Sequence, residues 1–252
     1  MAQKMRGQVI IWVFVALGVT AFFVLLFSIK TTPQQQVVTV DDPVSYMQTC
    51  VRTAIVNALE ARLPRGGIVD SGISVMYNNI SRTYLCYTRG LFEPCSMHHP
   101  LPLETLTLQL TEETRPLVET CFGDLQETLE LTGKETLMQS LTYSVSFAPD
   151  SLFVTIIRPF SIQDRGISRD YEDFSFTMKT PTYQLMDVAR EIASQEAQFC
   201  YFEYAGYMIL YPTFEIEKKT IFDGIKLYTV RDVPSNQALT FATRGCVLPA
   251  GL

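Results

Sequence analysis

Histidine is nearly absent: among 252 residues only His98 and His99 could supply an imidazole. A Ser-His or Cys-His nucleophile needs that base held near it, and there is no G-x-S-x-G turn to present a serine. The chain also lacks a P-loop. Its one glycine pair, Arg65-Gly66-Gly67, follows a helical pattern and reads as a helix stop. It has no C-x-x-C, and adjacent histidines in a strand point to opposite faces, so a zinc site is not expected. Nor is there a Lys/Arg stripe with interleaved aromatics. With a net charge of −6, the chain is not expected to bind nucleic acid.

Charge is missing altogether from Gly7 to Ile29, and this absence is the strongest signal in the chain. Val9 to Phe27 is an apolar run of 19 residues, interrupted only by Gly18 and Thr20. As a helix it would measure ~28 Å, close to the hydrocarbon thickness of a bilayer. A cleaved secretory signal is not expected, because its apolar core is about 7–15 residues long and ends in a small-x-small site. Here the run passes into Phe27-Ser28-Ile29-Lys30. Lys4 and Arg6 precede the run, and all 26 acidic residues lie after Lys30 against 17 of the 20 basic ones. This asymmetry predicts a single-pass protein with a cytoplasmic N-terminus and a lipid-embedded segment at 9–27. Residues 1–30 are thus leader and anchor, 31–42 a polar Pro/Gln linker, and 43–252 an extracytoplasmic α+β domain, in an alternative reading two lobes that split near 130–136.

Six cysteines follow the anchor: Cys50, Cys86, Cys95, Cys121, Cys200 and Cys246. An even number in an exported domain predicts disulfides, although six cysteines admit 15 pairings. Cys86 with Cys95 is the easiest to close, because Gly90 and Pro94 lie between them. Cys50 with Cys121 and Cys200 with Cys246 complete the expected set. Hydrophobic residues make up 47% of the chain, enough to build a core rather than a disordered tail. No cofactor and no metal is expected.

Asp42-Pro43 reads as N-cap and first helical residue, and Val44, Met47, Val51, Ile55, Leu59 and Leu63 predict a helix over 43–63. Short strands are expected at 73–77 and 83–87 around Asn78-Asn79, with the sequon Asn79-Ile80-Ser81 at the turn. Gly90 to Pro102 reads as a loop. A second helix is expected from Thr111 to Phe122. A hairpin follows at 141–147 and 153–157, then a strand at 171–178. A third helix begins after Thr180-Pro181, and strands are expected near 207–217, 225–231 and 238–246. Few helices and adjoining hairpins favour an α+β domain with antiparallel sheet.

Two further clusters carry candidate chemistry. Asp164, Asp170, Glu172 and Asp173 are acids that a glycoside-type hydrolase could use, but the interspersed Arg165 and Arg169 favour charge compensation in a loop. The run from Phe199 to Tyr207 reads first as a core strand beside a cysteine. Alternatively, Tyr201, Phe202, Tyr204 and Tyr207 form an interface, since aromatic side chains anchor binding surfaces.

Arg6-Gly7-Gln8, directly before the apolar run, resembles the class III signal of archaeal type IV pilin-like proteins. That resemblance implies a cut before Gln8 and a helix able to join a filament. RGQVIIW, PVSYMQTCVRTAIVNALEARLPRGGIV and LVETCF together resemble a group of uncharacterised single-span exported proteins of small-genome archaea, over about the first 125 residues. This likeness implies an exterior location and a part in envelope assembly, without an activity. The expected function is a membrane-anchored cell-surface structural or interaction protein, pilin-like in one form, with protein partners or self-assembly. The alternatives are an anchored ligand- or envelope-binding module and, third, an exported hydrolase.

Overall fold

In the computed structural model, which describes residues 42–69 and 72–246, the helix expected after Asp42 is α1, Pro43–Arg62. The Asp42 carboxylate accepts the Val44 N–H at 3.0 Å, and Pro43 takes the first helical position, where no N–H is needed. Met47, Val51, Ile55 and Leu59 recur every four residues and form the buried face. A 3₁₀ turn, Leu63–Arg65, closes the helix at Gly66. Gly66 has φ +100°, and a Cβ there would stand 2.9 Å from Thr83 Cβ, so glycine is required twice over. The leader Arg6-Gly7-Gln8, the apolar run 9–27 and the linker up to residue 41 lie outside the described residues. Among the described residues no helix is long and apolar enough to cross a membrane.

The second helix corrects the sequence expectation. It is not Thr111–Phe122 but α2, Pro102–Leu131, 30 residues with Pro116 inside. Thr111 is no cap; its hydroxyl donates back one turn to the Thr107 carbonyl at 2.8 Å. An internal proline costs a helix about 3 kcal/mol. Burying Leu106, Leu110, Val118, Phe122, Leu125 and Leu129 on one stripe offsets this, at roughly 1.5–3 kcal/mol for each large side chain. Thr114 lies in the same stripe, fully buried, and is satisfied by the Leu110 carbonyl and the Tyr143 hydroxyl.

A four-stranded antiparallel sheet follows: β4 (Glu135–Met138), β5 (Thr142–Ala148), β6 (Ser151–Asp164) and β7 (Ile167–Lys179). The long β6 is central. β7 runs along one edge, and β5 and β4 share the other. The β6–β7 register slips between Ile157 and Phe160, around Pro159, which has no N–H for the ladder. Leu152, Val154, Ile156, Phe160 and Ile162 of β6 point to one face, where α1 and α2 cover them.

The other sheet has six strands: β1 (Ser74–Tyr77), β2 (Ile80–Tyr87), β3 (Ser96–Met97), β8 (Phe214–Thr220), β9 (Ile225–Asp232) and β10 (Ala238–Arg244). Their order is β1-β2-β10-β9-β8, with β3 beside β2, and β2/β10 is the one parallel pair among them. The β1–β2 turn is Asn78-Asn79, both at positive φ, as a tight hairpin demands. Helix α3 (Thr182–Phe199) packs Leu185, Met186, Ala189, Ile192 and Ala193 on this sheet. A fourth helix, α4 (Tyr204–Leu210), stands where a strand from 207 was expected. The domain is α+β, with four α-helices among the described residues rather than three.

All six cysteines are paired as expected. Cys50–Cys121 ties α1 to α2, Cys86–Cys95 ties β2 to the segment before β3, and Cys200–Cys246 ties the end of α3 to the residues after β10. Beside the last bond lies a buried polar cluster. Glu196 of α3, fully buried, accepts from Lys226 Nζ at 2.6 Å and from the Tyr228 hydroxyl. Lys226 also donates to the Cys200 carbonyl at 2.7 Å. Burial and the Glu196 charge push the Tyr228 phenol well above its ordinary pKa, so it remains a donor.

Lys226→Met leaves Glu196 buried without its cation and is expected to lower stability by about 3–5 kcal/mol in urea unfolding, with Glu196→Gln in the same chain restoring part of the loss. The Cys50–Cys121 bond spans 71 residues. On chain-entropy grounds its removal, Cys50→Ala with Cys121→Ala, should cost ~4 kcal/mol in the same measurement.

Candidate interaction surface

The aromatic run after α3 is not a strand. α3 ends at Cys200, whose backbone is left-handed at φ +59°, and α4 starts after Glu203. The Glu203 carboxylate caps α4 by accepting the Gly206 N–H at 3.2 Å. The missed signal is periodic: Tyr204, Tyr207, Met208 and Tyr211 are spaced by three and four, which suits a helix, whereas aromatic content alone suggests β structure. Met208 Sδ accepts the Ile216 N–H at 3.1 Å and docks α4 on β8.

The four candidate interface residues separate by burial. Phe202 is only 1% exposed and belongs to the core, edge-on to Tyr228 at 6.3 Å and 5.4 Å from Tyr207. Its expected place in an interface is therefore corrected. Tyr204 and Tyr207 are half-buried, and Tyr201 is exposed. In the same stretch of chain Phe199, Ile209, Leu210 and Tyr211 are also exposed. Ile209 is 81% and Leu210 76% exposed. Large apolar side chains grouped this way mark contact surfaces more often than scattered ones do. Both aliphatic residues fall where the sequence predicts a strand, so neither stands out there as a surface residue.

Charge is set into the same surface. Lys218 Nζ lies 4.6 Å from the Tyr201 ring centroid and 5.1 Å from that of Tyr204. Tyr201 donates its hydroxyl to Glu203 at 2.5 Å. That bond, followed by desolvation and the Glu203 charge, raises the Tyr201 pKa; the same bond and the Gly206 N–H lower that of Glu203. Burial, followed by repulsion from Lys226, lowers that of Lys218. Exposed aromatic and aliphatic side chains with a cation and an anion set beside the tyrosines suit recognition.

The remaining candidates fall elsewhere. Asn79 is exposed at the β1–β2 turn, sterically open to modification. Of the four acids, Asp164 lines a small cavity of about 140 Å³ with Lys134, Arg169 and Tyr171. The fold does not bring Asp170, Glu172 and Asp173 into it. Gly66 and Gly67 close α1, as expected of a helix stop. His98 is exposed, while His99 is partly buried, and its Nε2 has no hydrogen-bond partner among the described residues. Among the described residues no three His, Cys, Asp or Glu side chains converge as metal ligands would. A groove of about 640 Å³ lies between α1 and α2 over the Cys50–Cys121 bond, walled by Tyr46, Thr53, Ala54, Asn57 and Leu117. Comparison of the chain with models of protein families, with curated proteins and with solved structures found no match.

Two outcomes follow. Ile209→Ser with Leu210→Ser should leave unfolding stability within about 0.5 kcal/mol, because both side chains already face water, while lowering any self-association seen by sedimentation. Burial, then His98, holds the His99 pKa below the ordinary histidine value. Its contribution to stability is present above the unfolded value of about 6.5 and is lost as pH falls through the folded one. The slope of melting temperature against pH below 6.5 should flatten in His99→Phe.

Proposed function

We propose that the chain is a membrane-anchored structural or interaction protein of the cell surface. The apolar run 9–27 holds it in the bilayer with the N-terminus cytoplasmic, and the domain from residue 43 presents a contact surface outside. The observation that carries the reading is that all six cysteines close into disulfides. Such bonds persist in oxidising compartments and are rare in the reducing cytoplasm. A domain that carries three of them suits the side of the membrane opposite the basic flank Lys4 and Arg6.

Arg6-Gly7-Gln8 sharpens the proposal to a pilin-like subunit whose leader is removed before the apolar helix. The domain would then assemble with further copies or with other surface proteins. Mass spectrometry of the N-terminus of the protein recovered from membranes tests this. A mature start at Gln8 is the expected result. A start at Met1 or Ala2 overturns the pilin-like form and leaves the plain anchor. Protease added to intact cells should remove the domain; protection of the domain in intact cells, with cleavage only after lysis, would reject the surface location.

A further inference from the structure

The six-stranded sheet carries one register shift, and a cationic cavity sits on it. In the β2/β10 pair Tyr84 lies opposite Ala242, and Cys86 opposite Thr243, so β2 holds one extra residue, Leu85, at this point. An extra residue breaks the alternation of faces and re-aims the side chains that follow. Leu85 and Cys86 thus join the core under α3, whereas Tyr84 and Tyr87 share the opposite face, their ring centroids 4.9 Å apart. Arg244 follows Ala242 by two residues on β10 and reaches the same face.

Arg244 is 9% exposed. Its Nη1 donates to the Thr88 carbonyl, and its guanidinium lies 5.8 Å from the Tyr87 ring centroid. Among the described residues its five guanidinium donors make that one hydrogen bond. Arg89 stands at the rim, and among the described residues neither arginine has a carboxylate within 4.0 Å. The two arginines, Tyr84, Tyr87, Ser74 and Asp223 line a cavity of about 260 Å³. A cation this buried is costly without a countercharge, and the planar guanidinium fork matches an oxyanion in two-point contact. Burial and the Tyr87 phenol push Tyr84 up to about 12, against Arg244, so Tyr84 is a hydroxyl donor at neutral pH.

We propose that this cavity binds a small oxyanion, a carboxylate or phosphate group held between Arg244 and Arg89 with the tyrosine and serine hydroxyls as further donors. Asp223 sets the limit on charge: it leaves the cavity with a net charge of one and weakens the hold on the anion. The proposal does not depend on anchoring or on the surface role.

Isothermal titration of the full chain at low salt, with inorganic phosphate and with glucuronate as probes, tests it. Saturable one-to-one binding of either probe is expected, and which of them binds identifies the source of the oxyanion. Arg89→Gln should weaken binding about tenfold and Asp223→Asn should tighten it about threefold, each about the size expected for one charge at short range in a partly wet site. Both residues lie outside the hydrophobic core, so these variants stay informative even where Arg244→Gln fails to fold. Absence of binding by both probes overturns the proposal, as does an affinity unchanged in both Arg89→Gln and Asp223→Asn.

Discussion

One helix has to fill two hydrophobic cores, and the rest of the domain is arranged around that demand. The inward stripe of α2 begins with Leu106 in the core under α3 and continues from Leu110 to Leu129 in the core under α1. Thirty residues of helix reach across both. A long amphipathic element with a proline inside is poorly supported by propensity alone, so its stability comes from packing. Three cross-ties hold it in place: the Cys50–Cys121 bond to α1, the Thr114–Tyr143 hydrogen bond to β5, and a polar clamp at Gln109. Gln109 bonds both the N–H and the carbonyl of Val69 and accepts from Arg62, which also pairs with Glu113. The exit of α1 is thereby fixed to the flank of α2.

The two sheets differ in how they meet this frame. The four-stranded sheet is a set of local hairpins around β6, whose alternating side chains lie under α1 and α2. The six-stranded sheet combines distant segments, since β10 inserts between β2 and β9 and closes the sheet in parallel with β2. That insertion brings the end of the described chain beside β2, where the Cys86–Cys95 and Cys200–Cys246 bonds fix the adjoining segments. The register shift at Leu85, the paired tyrosines and Arg244 all belong to this join. Irregularity and charge coincide where the most remote segments meet.

The domain's two notable surfaces have different origins. The α4 patch is local: a run of aromatic residues folds on itself, buries Phe202 and leaves Ile209, Leu210 and Tyr211 outside. The arginine cavity is assembled from β1, β2 and the residues just after it, the turn before β9, and β10, segments that only the tertiary fold brings together.

Local chemistry was legible in advance wherever one segment settles its own conformation. Asp42-Pro43 and the four-residue spacing to Leu59 specify α1, Asn78-Asn79 specifies a tight turn, and the alternation from Leu141 to Ile157 specifies a hairpin. The three cysteine pairs were also anticipated, although only the short Cys86–Cys95 loop had a local reason. The start of α2 was not legible, because Pro102, Thr111 and Pro116 each resemble a boundary and only burial against two sheets keeps the helix continuous. The α4 helix was hidden by aromatic residues whose β preference yields to an N-cap and a docking site on β8. The arginine cavity left no trace in the order of residues. Its charges converge only when β10 pairs with β2, and pairing between segments some 160 residues apart depends on the energy of the whole core rather than on any property of either strand.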